Sequence, residues 1–345
     1  MNPSAEVIRR VRDRLGRDLL IQAHHYQREE VIRHADHRGD SLELARRIPE
    51  NEATTIMFCG VSFMAETAAI LAGPDRRVFM PAPEAGCSMS NMAPAALAEA
   101  VFERLSASGR RIVPLAYVNT SAAVKALCGR RGGAVCTSAN AETMLAWALR
   151  QGDGVLFLPD RNLADNTADR LGISPTRRLR LNIRGRGEHI DPAAAARAEL
   201  LVWPGSCCVH EVMGPEHVAE VRRRDPDAKV IVHPECPPPT VRAADAAGST
   251  AGIIRFCAEA PTGAAIYVGT EINLVERLAA QYRGEKLIRP LAVSRCVNMA
   301  KTSENNLAAA LESMDTLDST APVRVSCETA DQAKTALARM LEACS

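Results

Sequence analysis

Short runs of apolar residues that end in polar residues recur along the chain, and stretches with helical amphipathic spacing separate them. The runs fall into three groups of four. They cover residues 19–27, a segment ending at Ser41, 54–60 and 77–87; then 111–119, 134–140, 154–160 and 199–207; then 229–235, 244–250, 264–271 and 286–296. Strands that alternate with helices are typical of parallel βαβ units, so the pattern predicts an α/β protein.

The spacing of equivalent positions indicates an internal repeat. An interval of 63 residues separates His24 from Cys87 in the first group and His233 from Cys296 in the third, and the corresponding interval in the middle group is 90 residues. We therefore predict three similar αβα domains with short parallel sheets around a pseudo-threefold axis. The alternative is one large doubly wound domain, since buried parallel strands resemble one another in any case.

The predicted divisions follow from the repeat. They are 1–107 with an N-terminal helix, 108–215, 216–300, and a helical tail over 301–345. The extra length of the middle copy is expected near 129–133 and in the basic stretch 177–189.

Composition narrows the class of protein. The 345 residues carry 42 Lys plus Arg and 41 Asp plus Glu, a net charge of +1, which excludes a polybasic nucleic-acid coat and an acidic tail protein. Aromatic residues make up 3%, which disfavours base-stacking platforms. No apolar run approaches the roughly 18 residues of a membrane span, and the charged N-terminus lacks the apolar core of a signal peptide. We expect a cytoplasmic protein with small-molecule partners and no membrane or nucleic-acid partner.

The cysteine pattern points to a metal. Eleven cysteines with no CxxC pair argue against a disulfide framework and against thioredoxin-type chemistry. Cys87, Cys207 and Cys296 end the fourth run of each group, so three thiols can converge. Zinc could use them with His210, and an iron–sulfur cluster could use the three and leave one iron open as a Lewis acid. The alternative is that all are buried thiols, which is our expectation for the other eight cysteines.

Hydroxyl and acid–base groups follow the other predicted strands. Ser41, Ser138, Ser249 and Thr250 precede helices, where they either cap the helix or help to bind an anion such as phosphate. No Walker or GxGxxG motif supports nucleotide binding. The acid–base candidates are His24, Tyr26, Tyr117, His210, His233 and Glu235, and Asn119 is expected to orient a substrate oxygen.

Ordered sequence blocks run from about residue 18 to about residue 310. They are AHHYQ at 23–27, GDSLELAR at 39–46, FCGVSFMAET at 58–67, AGCSM at 85–89, YVNTSAAVKA at 117–126, CTSANA at 136–141, LFLPDRNLA at 156–164, WPGSCCVHE at 203–211, HPECP at 233–237, GST at 248–250, VGTEINL at 268–274 and CVNM at 296–299. Together these blocks resemble the quinolinate synthase family of bacterial de novo NAD biosynthesis. His25 stands where the family usually has Tyr, and VSRCVNM lacks the CxxCPxC arrangement of some relatives, so a regulatory disulfide is not expected.

The resemblance implies an active site at the centre of three αβα domains. It implies a 4Fe–4S cluster on Cys87, Cys207 and Cys296, with Cys208 as a neighbour and not a ligand. The implied reaction is a transferase reaction that condenses iminoaspartate with dihydroxyacetone phosphate to quinolinate, phosphate and two waters. L-Aspartate oxidase or aspartate dehydrogenase would supply iminoaspartate.

The resemblance also implies roles for the residues around that centre. Ser41, Ser138 and Thr250, with Ser249 beside them, would hold phosphate or substrate carboxylates. The catalytic group would be His24, Tyr26, Tyr117, His210 and Glu235; His24, Tyr117, Asn119, His233 and Glu235 would also contact substrate. We predict Glu235 as the main acid–base residue. The competing hypotheses are an open-iron hydro-lyase without phosphate chemistry and a zinc-binding protein without catalysis.

Overall fold

In this computed structural model, which describes residues 2–314 and 321–344, thirteen strands form three separate parallel sheets. The first contains β1 (Leu19–His24), β2 (His37–Gly39), β3 (Thr55–Cys59) and β4 (Arg77–Phe79) in the order β2-β1-β3-β4. The second contains β5 (Ile112–Tyr117), β6 (Ala134–Cys136), β7 (Gly154–Leu158), β8 (Arg178–Arg180) and β9 (Leu200–Val202) in the order β6-β5-β7-β9-β8. The third contains β10 (Lys229–Val232), β11 (Ala246–Ala247), β12 (Ala265–Gly269) and β13 (Leu287–Pro290) in the order β11-β10-β12-β13.

The helices cover the faces of these sheets. They are α1 (Pro3–Leu15), α2 (Glu29–Ile32), α3 (Ser41–Arg47), α4 (Ser62–Ala72), α5 (Ser88–Asn91), α6 (Ala95–Ser106), α7 (Ala122–Arg130), α8 (Ala141–Gln151), α9 (Arg161–Arg170), α10 (Pro192–Arg197), α11 (Cys208–Glu211), α12 (Pro215–Arg224), α13 (Pro238–Ala243), α14 (Thr250–Glu259), α15 (Ile272–Gln281), α16 (Glu304–Ser313) and α17 (Cys327–Ala343). Within the described residues, no helix is long and apolar enough to cross a bilayer.

The three sheets confirm the predicted α/β architecture and exclude the single-sheet alternative. The strand that comes first in each sheet lies second in its order, so the copies share one topology. Every residue of β1 and of β5 is buried, as expected for central strands covered by helices on both faces. The fourth strand of each group pairs within its own sheet. Equivalent carboxyl ends can therefore meet at one place.

The middle copy is longer because of one insertion. Cys59 and Arg77, which end β3 and begin β4, are 18 positions apart, whereas Leu158 and Leu200, at the equivalent points of the second sheet, are 42 apart. The inserted segment includes the predicted basic stretch and adds β8 alongside β9. The stretch 129–133 contributes little extra length.

The tail packs back onto the first two copies. Leu307 and Leu311 of α16 share a core with Ile8 of α1. Helix α17 lies on α7 so closely that a Cβ at Gly129 would stand 1.8 Å from the carbonyl oxygen of Gln332. Only glycine permits that approach. Through α16 and α17, the tail thus packs against the cores of the first two copies.

Candidate active site

One cavity lies where the carboxyl ends of the three sheets meet, and it encloses about 800 Å³ including its open mouth. Thirteen of the fourteen site residues predicted from the sequence line it. They are His24, Tyr26, Ser41, Cys87, Tyr117, Asn119, Ser138, Cys207, His210, His233, Glu235, Thr250 and Cys296. Ligands in parallel sheets bind outside the carboxyl ends of strands, and this cavity has that position in all three sheets.

A buried carboxylate–imidazole pair lies at the centre of the cavity. Nδ1 of His210 is 2.6 Å from Oε2 of Glu235, and both side chains are almost fully buried. The ring of His233 stacks on His210 with centroids 4.5 Å apart. Burial alone would raise the pKa of Glu235, but the nearby His210, together with His233 and the Tyr117 hydroxyl, holds it below its usual range. Glu235 is therefore an ionised base within the protein.

Thr270 connects this pair to Tyr26. Its hydroxyl lies 3.1 Å from Nε2 of His210 and 2.8 Å from the Tyr26 hydroxyl. The hydroxyl of Thr250 donates to the same tyrosine oxygen over 3.4 Å. A chain of groups that can each carry a proton thus runs from Glu235 to Tyr26. Thr270 was not among the predicted site residues.

The other titratable groups of the wall are held neutral. Burial raises the pKa of Tyr26 and of Tyr117, and the charge of Glu235 adds to both effects. Burial also lowers the pKa of His24 and lowers that of His233 to about 3. Near neutral pH, both tyrosines are therefore hydrogen-bond donors. Nδ1 of each histidine accepts a backbone amide, that of Tyr26 at His24 and that of Glu235 at His233, so each neutral ring carries its hydrogen on Nε2.

The hydroxyl residues divide into those that cap helices and those that face the cavity. Asp40, and not Ser41, caps α3, because its carboxylate accepts the Leu42 and Glu43 amides. Ser138 pairs with Nε2 of His233 over 3.2 Å.

Ser249 is the fourteenth predicted residue, and it lies outside the cavity lining. Its hydroxyl caps α14 by accepting the Gly252 amide, so the capping alternative describes this serine. Thr250, one position later, faces the cavity. The cavity-facing hydroxyls therefore lie at or near helix N-termini, where an anion is favoured.

The three repeat cysteines lie on the same cavity, partly exposed, and each begins a short helical turn. Backbone amides of the following turn face each sulfur: Ser90 at Cys87, His210 at Cys207 and Met299 at Cys296. Burial raises the pKa of Cys87 to about 12, and the pKa values of Cys207 and Cys296 are raised by the same cause.

The thiols are close enough to influence one another. The charge of Cys296 contributes to the raised pKa of Cys87, and that of Cys87 contributes to the raised pKa of Cys207. Three thiols with amide donors facing a shared space fit the Cys₃ site of a 4Fe–4S cluster.

A second set of donor atoms fits a metal less well. Sγ of Cys207 and side-chain atoms of His210 and Glu235 all lie within 4.8 Å of one another. However, one imidazole nitrogen of His210 faces Glu235 and the other faces Thr270. Nε2 forms a hydrogen bond with Thr270, and Nδ1 forms none in the described residues despite its 2.6 Å contact with Glu235, so a zinc ion with His210 as fourth ligand would have to displace that contact.

The loop before α9 supplies a residue that sequence reasoning missed. Asp160 is fully buried, and its carboxylate accepts the Leu163 amide over 2.7 Å and the Cys207 amide over 3.1 Å. It therefore both caps α9 and fixes the backbone at a cavity cysteine. In the sequence it ends the predicted run 154–160 and lies in the LFLPDRNLA block, but neither feature assigned it to the site.

Comparison with known proteins then identifies the family. The family model described as "Quinolinate synthetase A protein" matches residues 6–342. The chain belongs to that family. It is 40% identical to the quinolinate synthase of Acidobacterium capsulatum over 98% of this chain and 92% of the relative. It is 42% identical to that of Halalkalibacterium halodurans over 98% and 92%, and 39% identical to that of Halobacterium salinarum over 99% and 92%.

The family assignment confirms the resemblance found in the ordered blocks. It also confirms the prediction that the chain is a quinolinate synthase of NAD biosynthesis. It covers the tail as well, which the blocks did not reach. The quinolinate synthase family thus accounts for the concentration of acid–base groups at one cavity, which the non-catalytic hypothesis left unexplained.

Proposed function

We propose that this chain condenses iminoaspartate with dihydroxyacetone phosphate to form quinolinate, inorganic phosphate and two waters, a transferase reaction. The observation that carries the proposal is the cavity of a quinolinate synthase family member, where anion-binding hydroxyls, a buried base and three thiols face one space. The cytoplasmic location stays a prediction.

The hydroxyl side of the cavity suits the anionic groups of both substrates. Ser41, Ser138 and Thr250 would donate to phosphate or carboxylate oxygens near helix N-termini, and Asn119 would orient a further oxygen. Because Tyr117 is held protonated, its hydroxyl can donate to a substrate carboxylate as well.

The acid–base side chains of the cavity would transfer the protons of the reaction. Glu235 would accept a proton from carbon during condensation, since its carboxylate is kept ionised. His210 would share that proton through its close pair with Glu235. Tyr26, joined to His210 through Thr270, would donate a proton to a hydroxyl group that leaves as water.

Cys87, Cys207 and Cys296 would hold a 4Fe–4S cluster. When bound, a cluster with one iron free of protein ligands supplies a Lewis acid for hydroxyl and carboxylate oxygens. Asp160 would keep the Cys207 backbone in place for this ligation.

The test combines metal content with product analysis. The anaerobically purified protein should contain about four irons and four sulfides per chain, and Cys87→Ala should lose them. With iminoaspartate generated from aspartate by L-aspartate oxidase, quinolinate and phosphate should appear in equal amounts. Zinc in place of iron, or turnover without phosphate release, would instead support the zinc-binding or the hydro-lyase hypothesis.

A further inference from the structure

The turn that carries His233 and Glu235 has backbone carbonyls that its own sequence cannot satisfy. In a tight turn or a helix, the carbonyl of a residue is normally bonded by the amide three or four positions later. For Pro234 and Glu235, the residues three and four positions later are both proline, because residues 237–239 are all proline. For Cys236, the residue three positions later is proline, and Thr240, four positions later, donates its amide to the Pro237 carbonyl instead. Proline has no amide hydrogen, so donors must come from elsewhere.

Helix α9 of the second copy provides those donors. Nδ2 of Asn166 donates to the Pro234 carbonyl over 2.8 Å and to the Cys236 carbonyl over 2.9 Å. Nδ2 of Asn162 donates to the Glu235 carbonyl over 3.1 Å. The two asparagines lie one turn apart on the same helix face, and each is 3% exposed.

We infer that Asn162 and Asn166 form an asparagine clamp that positions Glu235 for catalysis. Neither residue lines the cavity, so both are positioning residues and not catalytic ones. The inference rests on the proposed role of Glu235 as the base. Three backbone hydrogen bonds fix the turn, and the turn fixes the carboxylate 2.6 Å from His210.

The clamp also ties the reacting groups of two copies together. Asn162 donates its second hydrogen bond, over 2.7 Å, to the carboxylate of Glu211, the residue after His210. The same helix therefore contacts the segment that carries His210 and the turn that carries Glu235. Displacing the turn by about 1 Å would separate this pair, and a misplacement of about that size can lower a rate by about 10²-fold.

The decisive variant is Asn166→Asp, which keeps the shape of the side chain but replaces both N–H donors with an oxygen that faces two carbonyls. We expect kcat for quinolinate formation to fall about tenfold or more while KM changes less than about threefold. Deuterium uptake by the peptide covering 229–245 should rise, with wild-type uptake over 112–130. Asn166→Ser should change kcat and deuterium uptake in the same direction as Asn166→Asp but to a smaller extent. It replaces Asn166→Asp in the test if the aspartate variant does not fold. Asn182→Asp is the matched control, since Asn182 is exposed and uses only its oxygen, as acceptor of the Arg184 amide.

A double-mutant cycle separates positioning from general damage. If the clamp acts through Glu235, Asn166→Asp should not lower kcat further in a Glu235→Gln background. Losses that multiply would overturn the inference, as would wild-type deuterium uptake and kcat within twofold in both Asn166 variants. The exchange measurement needs no substrate, so it decides the clamp even if the wild-type protein forms no quinolinate and the proposed function fails.

Discussion

The cavity has an acid–base wall around His210 and Glu235 and a thiol wall formed by Cys87, Cys207 and Cys296. The two walls differ in how far they are buried and paired within the protein. On the acid–base wall, His210 and Glu235 are at most 2% exposed and lie close to each other, and His210 also bonds to Thr270, which is fully buried outside the cavity lining. On the thiol wall, Cys87 and Cys296 are partly exposed, and burial makes their deprotonation unfavourable in the protein alone. The first wall is closed by packing, although Oε1 of Glu235 has no hydrogen-bond partner among the described residues, whereas the second has the donors for a group that comes from outside.

This contrast also explains the difference in backbone support. Of the acid–base residues, Glu235 lies three positions beyond β10 and Thr270 directly follows β12, where the strand fixes the backbone, whereas His210 lies in α11. The cysteines lie in loops beyond the fourth strands and depend on local devices, such as the Asp160 carboxylate at the Cys207 amide. Changes on the two walls should therefore have different signatures.

The largest expected effect comes from adjacent thiols on the thiol wall. Cys207→Ala should remove the cluster and reduce quinolinate formation below detection, because two thiolates cannot hold it. Cys208→Ala should keep about four irons per chain and most of the activity, since Cys208 is exposed and is not the predicted ligand. Iron and sulfide analysis of both variants checks this. Retention of iron in Cys207→Ala with its loss in Cys208→Ala would reverse the ligand assignment.

Glu235→Gln tests the acid–base wall. Turnover should fall by about 10²–10⁴-fold with iron content unchanged, because the amide cannot accept the proton but fits the same space. Steady-state kinetics and iron analysis on the same preparation measure both quantities. The control is Glu328→Gln, an exposed carboxylate on α17. Wild-type turnover in Glu235→Gln would refute its role as base.

What the sequence could predict depended on recurrence in all three copies. The strand ends and the repeat cysteines stand out because each occurs at the same place in the order of predicted strands. Thr270 lies one position beyond β12 and Asp160 two positions beyond β7, but the first copy has Gly60 and Val61 at those points, so neither residue marks a feature that all three copies share. Contacts between copies, such as that of Thr270 with Tyr26, arise only when the domains pack together.

The hydroxyl residues show a second limit of prediction from the sequence. Ser249 and Thr250 are neighbours with similar chemistry; the residues alone left capping and anion binding open for both, and the family resemblance implied substrate contact for Thr250 with Ser249 beside it. The helix begins at Thr250, which makes Ser249 the cap and leaves the threonine for the cavity. A difference of one position in a helix start decided their roles, and sequence patterns do not resolve it.

Thr270→Val should have a smaller effect than loss of the base. It keeps the volume of the side chain but breaks the connection between His210 and Tyr26, and we expect turnover to fall about tenfold. Thr270→Ser retains the hydroxyl and should keep most of the activity. Comparing kcat of the two variants checks this. Equal losses would mean that the methyl group matters and the hydroxyl does not.

The smallest effect should come from the end of the third sheet opposite the cavity. A substitution there should change the free energy of unfolding and leave turnover unchanged. Burial would raise the pKa of Asp245, but Arg222 and the Val230 amide, which donates over 2.7 Å, lower it below its usual value. Because the folded pKa lies below the unfolded value of about 3.9, the ionised carboxylate stabilises the fold fully above that pH and loses its effect as the pH falls through the folded pKa. Asp245→Asn should therefore cost about 1 kcal/mol of unfolding free energy at pH 7 and progressively less below about pH 4.

Urea unfolding of Asp245→Asn at several pH values measures this cost, with the exposed Asp227→Asn as control. A cost that stayed constant with pH would assign the stabilisation to packing and not to charge, and a loss of turnover would show that this end of the sheet is coupled to the cavity.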